Sequence, residues 1–506
     1  MHELGFPWEI RVAHWFNVLF LTLLARSGLA ILSAHPKLYW NIDAWPTSEW
    51  LDLLRKPLPQ DRMWCSTDEE GEWRGWLALP GGDGLGLGRY WHFSTAALWV
   101  ICGLCYVAVL FTSEQWRRLV PASWEIFPCA WRTLVAYLEL KSPEPHPPFT
   151  YSSGLPFNAL QQLTYFGVVF LLTPLQILTG LAQSPTILAR FRWYERLFGN
   201  RQAARSLHFI GLVFFGGFLA IHLVMVFWHD FAKEMDKMVL GRTRSDGSTE
   251  GIWLGMAIIG GIVLFHMAAN LASAYAKRTV HRMLAMVYGP LRWLLLYGVK
   301  SVQVRDESEI SPYHRTNGYP PISAYPQAKG DDDTYERLLA NDFRDYRLEV
   351  TGLVERSLRL SLDDLRAMPK QEQVTLHNCI QGWTSIGKWG GVRLAEILNR
   401  CQPLPAAKYL VFYSFGKHET SGQCYYECVS LDIGRYPQTL LAYELNGEPL
   451  PLQHGAPLRP RFETKLGFKM VKFLRAIEVV DDYRRIGGGM GGVREDKQQF
   501  DMGAEI

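Results

Sequence analysis

The chain has 506 residues, too many for one ordinary domain, so two or more units are expected. Its formal net charge of +3 excludes the strongly basic or acidic balance of a nucleic-acid binder, and eight scattered Cys exclude a disulfide framework or a paired C-x-x-C zinc site. Mean hydropathy is near neutral, yet the apolar residues cluster in long runs before residue 300.

Five of these runs reach the roughly 20 residues needed to cross a bilayer. They extend from Trp8 to Leu32, Tyr90 to Phe111, Phe157 to Leu181, Leu207 to Trp228 and Ile252 to Ala274. Trp8, Trp15, Trp91, Trp99, Trp228 and Trp253 stand near their ends, as interfacial aromatic belts require. Thr173-Pro174 is expected to kink the third run. A sixth stretch, Val280 to Val299, is open to two readings, because Arg282 and Arg292 interrupt it. It is either another span or an interfacial helix. The first run continues too far for a cleavable signal, and no twin-arginine signal is recognisable.

Between the first two runs lies a long connection, Ser33 to Gly88, ending in GGDGLGLG. Without a preceding strand that glycine run is a weak phosphate signal and reads as a flexible approach to the second helix. SPEPHPPF, from Ser142, is a proline-rich spacer. Cys424 and Cys428 read as unrelated thiols. After Lys300 the pattern shortens and charges return. RLEVTGLV and SLRLSLDDL predict strands leading into a short helix, and YLVFYSF and FKMVKFLRAIEVV predict strands of an inner sheet. The resulting organisation is a helical membrane domain over 1–300, a linker over 301–345, an α+β domain over 346–485 and a mobile tail over 486–506.

Inside the apolar runs stand His14, His92, His208, His222 and His266. A single intramembrane His is as often bonded to a neighbouring carbonyl as it is a ligand. The set is more informative. His208 and His222 are 14 residues apart on one helix, so they return within about 40° of the same face, about 21 Å apart along it. The first helix runs antiparallel to the fourth, which sets His14 level with His222. The second runs parallel to it, which sets His92 level with His208. Two imidazole pairs, one per leaflet, suit bis-histidine ligation of two haems. His229, at a helix end, reads as interfacial.

The His spacing, the early His14 and FNALQQLTYF make roughly residues 5 to 240 resemble the di-haem cytochrome b subunits of formate dehydrogenase and nickel hydrogenase. That resemblance implies that His14, His92, His208 and His222 are axial ligands of two b haems that exchange electrons with quinone. His266 has no counterpart there and reads as structural.

Cys379 stands in TLHNCIQGWTSIGKWGGVRLAEIL, and composition alone would make it a small buried hydrophobe. LAYELNGEPLPLQHGAPLR and KLGFKMVKFLRAIEV follow in order. In HGAPLR a small-residue turn stands beside Arg459, able to clamp an anion, with Lys469 and Lys472 adding charge. Roughly residues 310 to 485 resemble the sulfite oxidase superfamily, nearest the protein-methionine-sulfoxide reductase catalytic subunits. The resemblance implies a molybdopterin cofactor with Cys379 as the molybdenum ligand. It implies cofactor contacts at Ser414, Asp432, His454, Arg459, Met470, Val471 and Lys472, and at Arg315 and Asn317 in HRTNGYPP. Sulfite oxidases follow the Cys with Gly-Asn-Arg; here Ile380, Gln381, Gly382 and Trp383 stand instead.

The expectation is a multi-domain protein, an all-α transmembrane bundle followed by an α+β molybdopterin domain, in a bacterial inner membrane. It would pass electrons between molybdenum and the quinone pool through two b haems, with oxo-transfer on a sulfoxide or similar small oxide. Its partners would be membrane lipid, quinone and that small molecule, not nucleic acid. Sulfite oxidation, an electron-transfer cytochrome with a non-catalytic C-terminal domain, and a haem-free transporter are the alternatives. Six spans would return the C-terminal domain to the cytoplasm.

Overall fold

The computed structural model describes residues 6–57, 66–82, 84–113, 115–141, 157–242, 249–314, 334–417, 424–498, 500 and 502. The chain forms two compact units. One comprises Met1–Ser27, Trp91–Leu181 and Leu207–Ala276, and the other Gly28–Tyr90, Ala182–Ser206 and Lys277–Ile506.

Five helices are long and apolar enough to cross a membrane: Trp8–Ser33, Leu85–Thr112, Ala159–Leu181, Arg201–Trp228 and Glu250–Tyr275. Helix is the form that satisfies every backbone polar group of an apolar segment internally. At Thr173-Pro174 the expected distortion takes a specific form. Residues Gly167–Leu172 are π-helical, and Thr173 Oγ1 donates to Val168 O at 2.9 Å, beside the Thr173 N–H that the same carbonyl accepts. The third span starts with a reciprocal cap, Asn158 and Gln161 each accepting from the other's backbone N–H.

Only part of the tryptophan set is at the surface. Trp8, Trp228 and Trp253 are exposed, but Trp91 and Trp99 are buried. Trp99 Nε1 donates to Asn17 at 2.8 Å and Trp91 Nε1 to Ser273 at 2.9 Å, so these two tie spans together.

In the second unit the connection after the first span is structured. β1 (Lys37–Leu38) pairs with β2 (Leu51–Asp52), and the buried Lys37 ammonium meets Glu69 at 2.7 Å, Glu49 at 3.3 Å and Asp52 at 3.5 Å. The C-terminal part holds two five-stranded sheets. Its strands are β3 (Leu348–Gly352), β4 (Leu358–Leu360), β5 (Lys370–Asn378), β6 (Thr384–Arg393), β7 (Tyr409–Lys417), β8 (Cys424–Ser430), β9 (Leu440–Leu445), β10 (Glu448–Pro449), β11 (Arg459–Arg461) and β12 (Leu474–Val480). One sheet runs β4-β3-β12-β7-β8, with β12 parallel to β3 and antiparallel to β7. The other runs β10-β9-β6-β5, with β11 also on β9. Val350, Phe412, Ile477, Leu398 and Phe462 lie in the core that these elements enclose.

Two expectations need correction. In FKMVKFLRAIEVV only Leu474–Val480 is strand; Gly467–Lys469 is a short 3-10 turn, because Lys469 turns inward to buried carboxylates. The tail from 486 is also not loose. Val493–Gln498 is helical, Asp496 accepts from the Gly488 and Met490 N–H groups, and Phe500 is buried. A side chain on Gly86 would lie 2.2 Å from Gln498 O, so the tail passes too close to the start of the second span for anything but glycine.

The ambiguous stretch forms the helix Lys277–Leu296, with Pro290 inside it. It packs within the second unit: Tyr90 meets His281 edge-on at 4.4 Å, and Arg190 caps the carbonyls of Leu294 and Leu295. Contacts inside this unit also fix the number of crossings. Asp43 bonds Ser311 at 2.6 Å, Glu195 pairs with Arg305 at 2.6 Å and Gln202 bonds Thr384 at 2.9 Å. Both connections therefore share a side with the C-terminal domain, which requires five spans and rules out the return by a sixth. A reporter fused at the N-terminus and one at the C-terminus should consequently report opposite sides of the membrane; the same side for both would refute five crossings.

Candidate functional sites

In the first unit the two expected imidazole pairs are present. His14 and His222 have ring centres 6.3 Å apart, and His92 and His208 have theirs 6.2 Å apart. With metal–nitrogen bonds of about 2 Å and about 1.1 Å from ring nitrogen to ring centre, two imidazoles flanking one iron have centres about 6 Å apart. Both pairs therefore fit an axially ligated haem. Neighbours also orient the rings. Ser27 Oγ lies 3.1 Å from His92 Nδ1, and Thr179 Oγ1 and Gln176 O each lie 3.1 Å from His208 Nδ1. Engaging Nδ1 leaves Nε2 for a metal. Gly180 packs against the His208 ring, where a side chain would come within 3.3 Å. Sequence reasoning missed Ser27, Thr179 and Gln176, whose only signal is a hydrogen-bonding residue one turn or one span away from a ligand. Nothing is described of the His229 side chain.

In the second unit Cys379 follows β5 in a tight turn. Cys379 N donates to Trp383 O and Gly382 N to Cys379 O, both at 3.1 Å, and Gly382 has φ +117, a value that only glycine adopts without strain. The thiol is buried among Tyr39, Leu85, Trp383, Phe468 and Phe500. Burial pushes it up to about 12, against the pull of a Gln381 backbone hydrogen bond and the Arg494 guanidinium. Gln381 Oε1 lies 3.3 Å from the sulfur and accepts from Trp383 Nε1 at 2.9 Å, while Gln381 Nε2 donates to Glu70. Arg201, Gln202 and Arg205 approach the same turn but spend donors on carbonyls: Arg201 and Gln202 on Gly382 O, Arg205 on His35 O and Lys37 O.

Below β5 lies a buried cationic pocket. The His314 ring lies tilted against His377 at 5.5 Å and edge-on to His454 at 5.0 Å and Trp389 at 5.3 Å. Arg461 lies over the Trp389 ring at 4.1 Å and Arg459 at 5.3 Å. Arg461 pairs with Glu463 at 2.7 Å and bonds His377 Nδ1 at 2.8 Å. Arg459 donates to the carbonyls of His454 and Met470, yet among the described residues its Nε and the buried Trp389 Nε1 meet no hydrogen-bond partner. Burial and the neighbouring Arg461 lower Arg459 to about 9, and the same desolvation with His314 beside it holds His454 neutral. Buried donors left open in a positive field are what an anionic ligand with acceptor oxygens would complete. The pocket thus fits the phosphate end of a pterin cofactor.

The predicted contacts divide accordingly. Cys379, His454, Arg459, Met470, Val471 and Lys472 are all buried, and Lys472 Nζ donates to Gln453 O at 2.6 Å. Ser414 reaches this region, but its hydroxyl donates to Lys472 O at 2.7 Å and accepts from Gly416 N at 2.8 Å, so it braces the turn. Asp432 is not brought in: it is exposed on the short helix Leu431–Gly434. Lys469 points away and is neutralised by Glu427 and Glu495, whose own carboxyl is raised by burial and by Glu427. Arg315 and Asn317 lie outside the described residues. His314, His377, Trp389, Arg461 and Glu463 were not singled out. His377 could have been, since it stands two residues before Cys379 on the strand that leads into the Cys379 turn.

Residues 5–241 match the family described as prokaryotic cytochrome b561, and residues 336–485 match the oxidoreductase molybdopterin binding domain. One chain thus carries a stretch similar to a cytochrome b561 followed by one similar to a molybdopterin-binding oxidoreductase domain. The chain is 36% identical over 163 residues, 32% of the chain and 57% of the relative, to subunit YedZ1 of Azospira oryzae, whose assignment to a protein-methionine-sulfoxide reductase is itself provisional. It is 34% identical over 145 residues to the protein-methionine-sulfoxide reductase catalytic subunit MsrP of Xanthomonas campestris (27% of the chain, 45% of the relative). It is 35% identical over 147 residues to MsrP of Gluconobacter oxydans (27% and 47%). The chain spans about half the length of these relatives.

The buried Arg461–Glu463 pair gives a direct test of the pocket's architecture. Glu463→Leu alone should destabilise the domain by about 3–5 kcal/mol by stranding a buried guanidinium, whereas Arg461→Met with Glu463→Leu should recover most of that loss. Thermal unfolding of the purified protein followed by Trp fluorescence would measure both.

Proposed function

We propose that this chain is a membrane-bound molybdenum oxidoreductase that draws electrons from quinol and reduces a sulfoxide or similar small oxide. One observation carries the reading. The same polypeptide holds two imidazole pairs at iron-spanning separation and a buried thiol in the turn after the strand that carries His377 into a cationic, donor-rich pocket.

His14 with His222 would hold one b haem, and His92 with His208 the second. Cys379 would ligate molybdenum, while Arg459, Lys472 and His454 would anchor the cofactor's phosphate and pterin. When bound, the molybdenum cofactor supplies two-electron oxygen-atom exchange and the haems supply single-electron transfer. The residues of the chain bind, orient and exclude water. Trp383, Tyr39 and Phe500 keep the Cys379 sulfur dry, which strengthens every electrostatic interaction there. Gln381 sets a neutral amide and, through Glu70, a carboxylate beside the thiol. A neutral oxide is better suited to that environment than a sulfite dianion. The names of the relatives, protein-methionine-sulfoxide reductases, support the same substrate class. The functional division follows residues 1–300 and 346–485, joined by 301–345, in a bacterial inner membrane.

Detergent-purified protein should contain two irons and one molybdenum per chain by elemental mass spectrometry. Cys379→Ser should abolish dithionite-driven sulfoxide reduction and leave the haem spectrum unchanged, and His208→Leu should remove about half of the Soret absorbance. Good sulfite oxidation with no sulfoxide reduction would overturn the direction proposed.

A further inference from the structure

The helix Lys277–Leu296 is turned inside out relative to a surface helix of a water-soluble domain. Its exposed apolar residues are Met283, Met286, Val287, Trp293 and Leu294, with Tyr297 just beyond its end. At roughly 100° per residue these positions fall within an arc of about 120°, so they form one outward stripe. The opposite side of the helix is fixed within the same unit. Tyr90 meets the buried His281 ring edge-on at 4.4 Å and the Tyr288 ring at 6.4 Å. Arg190 donates to the carbonyls of Leu294 at 3.0 Å, Leu295 at 2.9 Å and Tyr297 at 3.0 Å, which holds the last turn. The stripe is therefore kept outward by the packing behind it, and a contiguous apolar patch of this kind marks an interaction surface.

We infer that this helix lies in the bilayer interface, its stripe against acyl chains and its basic residues among anionic phospholipid headgroups. Its level supports that occupant. Tyr90 stands in the second turn of the second span, Leu85–Thr112, so the helix packed on it is held where a span enters the membrane. The chain also reaches it straight from the membrane, since Tyr275 ends the fifth span and only Ala276 precedes Lys277.

Charge supports the same occupant. Residues 277–296 carry Lys277, Arg278, Arg282 and Arg292 and no Asp or Glu. A crossing would bury Arg282 and Arg292 in hydrocarbon, and the helix is not one of the five among the described residues apolar enough to cross. In the interface the same side chains run their stems along acyl chains and put their charge among phosphates. Trp293 and Tyr297 are the aromatic types that favour the headgroup level. The preference for anionic over zwitterionic lipid follows from charge of one sign.

The test places the holoenzyme in lipid nanodiscs and reads Trp293 as the emission of the unaltered chain minus that of Trp293→Phe. Emission is taken relative to discs of unbrominated lipid, so quenching by the haems cancels. Phosphatidylcholine brominated just below the headgroup should quench Trp293 more than the same lipid brominated near the bilayer centre, and aqueous iodide should quench it little. Stronger quenching by the deep bromines would overturn the inference in favour of a crossing helix. Quenching by iodide alone would leave the stripe facing water, and quenching by neither would mean that protein covers it; both overturn it. At equal, low mole fraction, brominated phosphatidylglycerol should quench about threefold more than brominated phosphatidylcholine. Lys277→Gln with Arg282→Gln should remove that excess, with haem absorbance per chain unchanged. Equal quenching by the two lipids in the unaltered chain, or an excess that survives the double substitution, would sink the anionic preference.

Discussion

The turn Cys379–Trp383 is the point on which the larger unit depends, and its backbone explains why. Gly382 O is a half-buried carbonyl with two lone pairs, and it accepts from both Arg201 and Gln202 in the first turn of the fourth span. Removing those donors would strand an acceptor in an apolar setting, at a cost of about 1–3 kcal/mol. The connection after the first span reaches the same place through Tyr39 and Glu70, and the C-terminal segment reaches it through Phe500. Three stretches that a sequence profile would pass over as loops are therefore fixed by the need to satisfy and dry a single turn.

The cationic pocket obeys a related rule with the opposite outcome. Arg461 is compensated in place by Glu463 and by the Trp389 ring, whereas Arg459 has carbonyls on two nitrogens and, among the described residues, nothing on the third. A fully compensated pocket would be a structural core. An incompletely compensated one suits a negative group, and burial lowers His377 and His454, so these two rings add donors without adding charge.

Much of this was legible in the sequence. Span positions followed from apolar length, and the pairing of His14 with His222 and His92 with His208 followed from helix period and alternating direction, both local and regular quantities. Ordered motifs around Cys379 and HGAPLR located the pocket. Pairing partners distant in sequence were not legible. Lys469 reads as one more positive charge until Glu427 and Glu495 are seen to enclose it, Asp432 reads as a pocket residue until its helix is seen to lie outside, and His266 reads as filler until Arg26 is brought against it from a helix 240 residues earlier. The glycine-rich tail reads as mobile because composition cannot register that Asp496 closes its own loop.

The contact of Gly86 with the Gln498 carbonyl has a consequence for how the protein behaves when cut. The catalytic domain follows the fifth span through one covalent strand, and a protease that severed it near residue 300 would nominally release a soluble fragment. The tail threaded against the start of the second span, with Gln202 on Thr384 and Asp43 on Ser311, makes that fragment a subunit bound in several places at once. Nicked protein would sediment with the membrane as a two-chain complex, which is how a gene fusion and its split counterpart can share one assembled form.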